Sequence, residues 1–83
     1  MNKRILYFTA TYCGPCQAMK PLINELIQEG KPISRIDVDQ NPSLTQQYNV
    51  TSIPTFITLD ENDNVVGRHK GVTSKSAILN MLK

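Results

Sequence analysis

The sequence predicts an α/β fold, with one mixed sheet of four strands flanked by helices on both faces in the order βαβαββα. Short apolar runs bounded by turn residues alternate with segments in which apolar residues recur at helical spacing. A helix joins the first two strands, and a crossover of this length makes them parallel and the connection right-handed. Five turn-forming residues separate the last two strands, residues 55–59 and 65–69, which predicts a hairpin. With 83 residues, we expect a single domain over residues 1–83.

The first half of the chain supplies a strand, a long helix and a second strand. Residues 5–9 are apolar and aromatic, as in a buried strand. From residue 15 to about residue 28 the apolar side chains follow helical spacing, and Gly30 ends that helix. Pro21 lies inside the helix, where we expect a kink because proline lacks an N–H donor. Residues 33–38 predict the second strand.

The remaining helices are marked by capping residues. Asn41 and Pro42 form a helix-start signal, with the asparagine side chain as cap, and predict a short helix over residues 43–48. Ser74 is expected to cap the last helix. That helix has one apolar face to pack on the sheet, formed by Ala77, Ile78, Met81 and Leu82.

Composition and charge exclude several functional classes. Nine basic and seven acidic residues give a net charge of +2, and they are scattered without a basic face, so we expect no nucleic-acid binding. The apolar run after the first four residues is too short for an export signal or a membrane span. We therefore expect no membrane association and a cytoplasmic location, where paired cysteines are more often catalytic or metal-binding than structural.

The only two cysteines, Cys13 and Cys16, lie three residues apart where the first strand leads into the first helix. Thiol-disulfide exchange needs a thiolate, and a helix N-terminus lowers the pKa of a nearby thiol. Cys13, just before the helix, is therefore the predicted attacking residue. Cys16 lies one turn deeper and is predicted to resolve the mixed disulfide.

The residues between the cysteines support the same chemistry. Gly14 permits a tight backbone path between the two sulfurs, and Pro15 constrains the ring that forms on oxidation. Alternatively, the two cysteines could supply half of the ligands of a zinc site. The chain offers no third cysteine and only His69 as a histidine, so we expect no metal. A structural disulfide over so short a loop would restrict the unfolded chain little.

These residues, with others along the chain, resemble the thioredoxin family over nearly all of residues 5–82. The matching segments are Tyr12-Cys13-Gly14-Pro15-Cys16, Pro21, Asp37-Val38-Asp39-Gln40-Asn41-Pro42, Ile53-Pro54-Thr55 and Gly71. The resemblance implies a thioredoxin-like fold and a protein-disulfide reductase that works through the Cys13–Cys16 dithiol. It implies no cofactor beyond the redox-active disulfide.

The resemblance also implies a substrate site and partners. Pro54 is expected to follow a cis peptide bond and to face the cysteines, and the backbone of Ile53 is expected to pair with the substrate peptide. The implied substrate-binding residues are Tyr12, Gly14, Pro15, Ile53, Pro54 and Gly71. The implied partners are protein disulfides, with ribonucleotide reductase as a client by analogy, and either a thioredoxin reductase-like electron donor or glutathione. We expect a monomer.

The chain departs from the family in three ways. It lacks the family's first strand and helix, which trims the fold to the size of a glutaredoxin. Tyr7 stands where the family has a buried aspartate that helps move the proton of the second thiol. We expect Tyr7 to be core packing, with water or a peripheral carboxylate serving instead. Tryptophan is absent, so Tyr12 and Thr9 stand where the family has tryptophans.

Two other functions remain open. A glutaredoxin-like enzyme that uses glutathione is favoured by the size and the missing aspartate, although the Cys-Pro-aromatic-Cys motif is absent. The second alternative is a binding module that docks on a partner through the cysteine-bearing surface without turnover.

The remaining polar residues of note have structural explanations. His69 is expected to lie on a solvated basic edge, and Asp37 and Asp39 are expected to serve capping and turn formation.

Overall fold

The computed structural model describes residues 2–83, and the predicted order of elements is confirmed there. The strands and helices are β1 (Arg4–Thr9), α1 (Gly14–Gln28), β2 (Ile33–Asp37), α2 (Pro42–Gln47), β3 (Thr55–Leu59), β4 (Val65–Lys70) and α3 (Lys75–Met81). They form one sheet in the order β2-β1-β3-β4. Strand β1 pairs in parallel with β2 and antiparallel with β3, and β3 pairs antiparallel with β4. The mixed sheet predicted from the crossover and the hairpin is therefore present.

Side chains of β1 alternate between two cores. Ile5 and Tyr7 pack toward α1 and α3 with a cluster that includes Ile23. Leu6 and Phe8 pack on the opposite face, which α2 and the chain after it cover. This alternation follows from the two-residue period of a strand. Helices therefore cover both faces of the sheet, as predicted.

Helix α1 carries the cysteines at its N-terminus and ends as predicted. Gly30 has a φ of +84°, which a glycine adopts without the steric cost of a Cβ. Its N–H donates to the carbonyl of Ile27 at 3.0 Å, and the N–H of Lys31 donates to that of Leu26 at 3.0 Å. The helix continues through Pro21.

One capping prediction is confirmed and one is wrong. The hydroxyl of Ser74 accepts the N–H of Ala77 at 3.2 Å and caps α3. Asn41 occupies the position before α2, but its side chain makes no capping hydrogen bond. Its amide instead donates to the carbonyl of Asp37 at 3.0 Å, because the turn after β2 brings that acceptor closer. Among residues 2–83, none of the helices has both the length and the apolar character required to cross a bilayer.

Candidate active site

Cys13 caps helix α1. Its backbone is extended, with φ −88° and ψ 112°, and its Sγ accepts the N–H of Cys16 at 3.1 Å. The two cysteines form a disulfide across a Cα–Cα distance of 5.2 Å, within the usual range for such a bond. The strand-to-helix turn that the sequence predicted therefore brings the two sulfurs together.

The two cysteines differ in exposure in the predicted direction. Cys13 is 7% exposed and Cys16 is 3% exposed. Both lie in a small apolar cluster with Ala10, and Val38 and Ile53 pack against it. The first turn of α1 contains no acidic residue, so no carboxylate offsets the positive end of the helix dipole. After reduction, the helix N-terminus favours a thiolate at Cys13.

The prediction that Gly14 is needed for a tight backbone path between the sulfurs is wrong. Gly14 begins α1, is not among the glycines with positive φ, and a Cβ built on it would contact nothing within 4 Å. Its backbone therefore does not require glycine. Gly14 instead leaves open the space that a side chain at this position would occupy. Pro15 lies in the first turn of α1, where a missing N–H costs nothing.

A loop before β3 closes one side of the cysteine pair. The Ile53–Pro54 peptide bond is cis, as the resemblance implied. Ile53 packs against the cysteine cluster, and Pro54 is fully buried. Gly71, with φ +94°, donates its N–H to the carbonyl of Pro54 at 2.8 Å. Ile53, Pro54 and Gly71 therefore form one connected structure with the cysteines.

Tyr12 is the exposed aromatic residue next to Cys13. Its side chain is 70% exposed, so packing within this chain does not account for it. A protruding ring beside a redox-active sulfur provides a surface on which a partner can dock. Its role in substrate binding stays a prediction.

Tyr7 is core packing, as predicted. It is 2% exposed, and its ring lies 5.0 Å from that of Phe56. Its hydroxyl donates to the main-chain carbonyl of Cys16 at 3.4 Å. Burial raises the pKa of Tyr7, an effect that a hydrogen bond with Thr9 partly offsets. Tyr7 is therefore a neutral hydrogen-bond donor beside the cysteines.

The prediction that His69 lies in a solvated environment is wrong. Arg68 and Lys70 are exposed, but His69 is half-buried and its ring lies 6.1 Å from that of Phe56. Within residues 2–83, its buried Nε2 has no hydrogen-bond partner. The alternation of β4 explains the difference, because every second side chain of this edge strand faces the core beneath α3.

Asp37 both stabilises the turn after β2 and lines a cavity next to the cysteines. Its Oδ1 accepts the N–H groups of Asp39 at 2.9 Å and Gln40 at 3.4 Å, which confirms the predicted turn role. Asp37 also lines a cavity of about 100 Å³ that borders Cys16 and Tyr7. The sequence alone did not reveal this cavity. Among residues 2–83, no three side chains of His, Cys, Asp or Glu are grouped so that they could hold a metal ion.

A cysteine at a helix N-terminus and a second cysteine bonded to it form the arrangement that thiol-disulfide exchange requires, so the site is of the class found in thiol-disulfide oxidoreductases. Comparison with known families supports this class. The family model described as Thioredoxin matches residues 1–83. The chain belongs to the thioredoxin family.

Individual relatives agree with this assignment. The thioredoxin of Staphylococcus aureus is 44% identical over 70 residues, which is 77% of this chain and 67% of that protein. The bifunctional thioredoxin reductase/thioredoxin of Mycobacterium leprae is 38% identical over 82 residues, 94% of this chain and 18% of that protein. The TPR repeat-containing thioredoxin TDX of Arabidopsis thaliana is 40% identical over 72 residues, and the chain spans only 19% of that protein. The X-ray structure of Fasciola hepatica thioredoxin superposes with a TM-score of 0.85 at 28% identity, covering 96% of this chain and 78% of that one.

Proposed function

We propose that the chain reduces disulfide bonds in proteins, cycling between the Cys13–Cys16 dithiol and disulfide with no other cofactor. The observation that carries this proposal is the 3.1 Å hydrogen bond from the N–H of Cys16 to the Sγ of Cys13. The same N–H and the helix dipole would favour the Cys13 thiolate. The thiolate is the species that attacks a substrate disulfide.

The reaction has two exchange steps. The Cys13 thiolate attacks one substrate sulfur, forming a mixed disulfide and releasing the other substrate sulfur as a thiolate. The Cys16 sulfur then attacks Cys13, so that the Cys13–Cys16 bond forms and the second substrate sulfur leaves. The substrate gains two electrons and the protein dithiol loses two. Reduction of the Cys13–Cys16 disulfide by a donor completes the cycle.

The substrate would bind over the cysteine pair. Tyr12 supplies an exposed aromatic face, and Gly14 and Pro15 are exposed residues between the two cysteines. The Ile53 backbone would pair with the substrate chain, and Gly71 would keep Pro54 in place. An extended peptide with a disulfide fits such a groove.

We further propose a thioredoxin reductase-like electron donor, a cytoplasmic location and a monomeric state. Support for the donor comes from the M. leprae relative, whose name joins a thioredoxin reductase to a thioredoxin. Glutathione is the alternative donor. Ribonucleotide reductase is a client by family analogy.

Trapping of a substrate tests the proposal. The Cys16→Ser variant should accumulate a mixed disulfide between Cys13 and a disulfide-containing protein such as insulin, because the resolving sulfur is gone. Cys13→Ser is the matched control and should trap nothing. Non-reducing electrophoresis and mass spectrometry detect the adduct. Binding of partners without any adduct in Cys16→Ser would favour the non-catalytic binding module and contradict the reductase.

The reduction potential tests the direction of exchange. The protein would be equilibrated in defined thiol buffers, and alkylated cysteines counted by mass spectrometry. A value near or below about −270 mV, that of thioredoxin, supports a reductase, whereas a value near about −180 mV, that of protein disulfide isomerase, contradicts it. Reduction of the oxidised protein by NADPH with a thioredoxin reductase, compared with glutathione, tests the donor.

A further inference from the structure

The second exchange step requires the loss of a proton from a buried thiol. Cys16 lies in an apolar cluster, and burial disfavours its charged form. The N–H groups at the start of α1 favour a thiolate at Cys13, which leaves the proton of Cys16 to be removed by another group. Tyr7 is a poor acceptor, because its hydroxyl donates to the carbonyl of Cys16 and its pKa is raised by burial.

We propose that the carboxylate of Asp37 accepts the proton that Cys16 releases when it attacks the mixed disulfide, with water in the adjoining cavity carrying the transfer. This inference rests on the proposed reductase function. Asp37 and Cys16 line the same cavity of about 100 Å³. A water molecule needs only about 10–15 Å³ of such space, so the cavity is large enough for a short water chain.

The strand pairing explains why Asp37 reaches this cavity. Residue 37 pairs with Thr9 in the parallel register of β1 and β2, so both lie at the strand ends nearest the cysteines. Ile33, four residues earlier on β2, packs in the core beneath α1. Asp37 lies on the same face of the strand, since alternate residues share a face.

The carboxylate has an oxygen available for the proton. Its Oδ1 accepts two backbone N–H groups of the following turn, whereas Oδ2 accepts no hydrogen bond from residues 2–83. The half-buried position of Asp37 lets it return the proton to solvent. Oδ1 thus holds the carboxylate in place while Oδ2 is free to react.

The other charged groups that line the cavity are cations. Lys20 extends from α1 and Arg35 from β2, and the Arg35 guanidinium donates to Asn24. Neither cation forms an ion pair with Asp37 within 4.0 Å in the described chain. Besides Cys16 itself, the titratable groups at the cavity are Tyr7, Lys20, Arg35 and Asp37. Of these, only the carboxylate can accept a proton, since the phenol and the two cations are donors.

The proton of Cys16 passes through water to Asp37 as the Cys16 sulfur attacks the Sγ of Cys13. The Cys13–Cys16 bond forms, the Cys13–substrate bond breaks, and the substrate sulfur leaves with the electron pair as a thiolate. Asp37 then releases the proton to solvent.

Stopped-flow reaction of the reduced protein with DTNB separates the two exchange steps. Attack by Cys13 releases one coloured thiolate, and attack by Cys16 on the mixed disulfide releases a second. Asp37→Asn keeps the turn acceptor but removes the base, so the second phase should slow at least about tenfold at neutral pH, with the first phase unchanged. The matched control is Asp39→Asn, which removes the same charge from an exposed residue outside the cavity and should leave both phases unchanged.

The pH profile and chemical rescue exclude a merely structural effect. The second phase of Asp37→Asn should approach that of wild type as pH rises past about 8.5, because solvent then deprotonates an ordinary thiol without a base. Formate should accelerate the second phase of Asp37→Ala and not that of wild type. Equal second phases in wild type and Asp37→Asn, or a deficit that neither pH nor formate changes, would overturn the inference. Loss of the first phase in wild type would instead contradict the proposed function itself.

Discussion

The hydroxyl of Tyr7 donates a hydrogen bond of 3.4 Å to the main-chain carbonyl of Cys16. This contact ties the centre of strand β1 to the first turn of helix α1. Because the ring is buried against Phe56, the hydroxyl has little freedom to move. The phenol therefore helps to position the turn that holds the second cysteine.

Replacement of Tyr7 by phenylalanine should lower stability by about 1 kcal/mol, since the ring remains and one hydrogen bond is lost. Urea denaturation at neutral pH measures this difference. Above pH 10 the stabilities of wild type and Tyr7→Phe should converge. Burial raises the folded-state pKa of Tyr7 above its ordinary value of 10.0, so its contribution is fully present below that value and lost as pH rises through the folded-state pKa. An equal loss of stability at alkaline pH in wild type and Tyr7→Phe would contradict a role for the Tyr7 hydroxyl.

Gly71 and Gly14 form a matched pair for testing backbone strain. A Cβ at either residue would contact nothing within 4 Å, but only Gly71 has a positive φ, +94°. Gly71→Ala should therefore destabilise the protein by about 1–2 kcal/mol, the cost of a left-handed conformation for a residue with a Cβ. Gly14→Ala should be neutral, or stabilising by up to about 1 kcal/mol, because alanine favours a helix. Equal shifts of the urea midpoint would show that φ is not the cause.

The elements were predictable because their signals are local. The apolar run that contains Leu6 and Tyr7 marks a buried strand, and the helical spacing that buries Ile23 and Leu26 follows from the order of residues alone. The cap of α3 by Ser74 is equally local. The side chain of Asn41 was mispredicted because its amide has two possible partners, and the turn after β2 decides between them.

The site was predictable only in part. The spacing of Cys13 and Cys16 at a strand-to-helix turn indicated the chemistry directly. The approach of Ile53 to the pair depends on tertiary structure, and only the resemblance to a family predicted it. No local signal links Asp37 to Cys16, since their shared cavity arises from the pairing of β1 with β2 beneath α1.

Tyr12 should matter for large substrates and not for folding. Because its side chain is 70% exposed, Tyr12→Ala should change the free energy of unfolding by less than about 0.5 kcal/mol. Loss of an aromatic contact worth about 0.5–1.5 kcal/mol should lower kcat/KM for insulin reduction by about two- to tenfold. The rate with DTNB should change less.

Val66→Ala is the control for Tyr12→Ala, since Val66 is an exposed apolar residue on β4. It should affect neither assay. Unchanged insulin reduction by Tyr12→Ala would remove Tyr12 from the substrate site.

Asp60 should make the β3–β4 hairpin sensitive to acid. Its carboxylate accepts the N–H groups of Asn64 at 2.9 Å and Asn62 at 2.8 Å, which lower its pKa from the ordinary value of 3.8. The resulting stabilisation is fully present above pH 3.8 and is lost as pH falls through the folded-state pKa. Asp60→Asn should be less stable than wild type at neutral pH, and the difference should narrow in acid. Glu61→Gln removes the same charge from the next residue and should leave the acid profile of wild type unchanged. Urea midpoints measured across the acid range test this, and a difference between Asp60→Asn and wild type that stays constant with pH would contradict it.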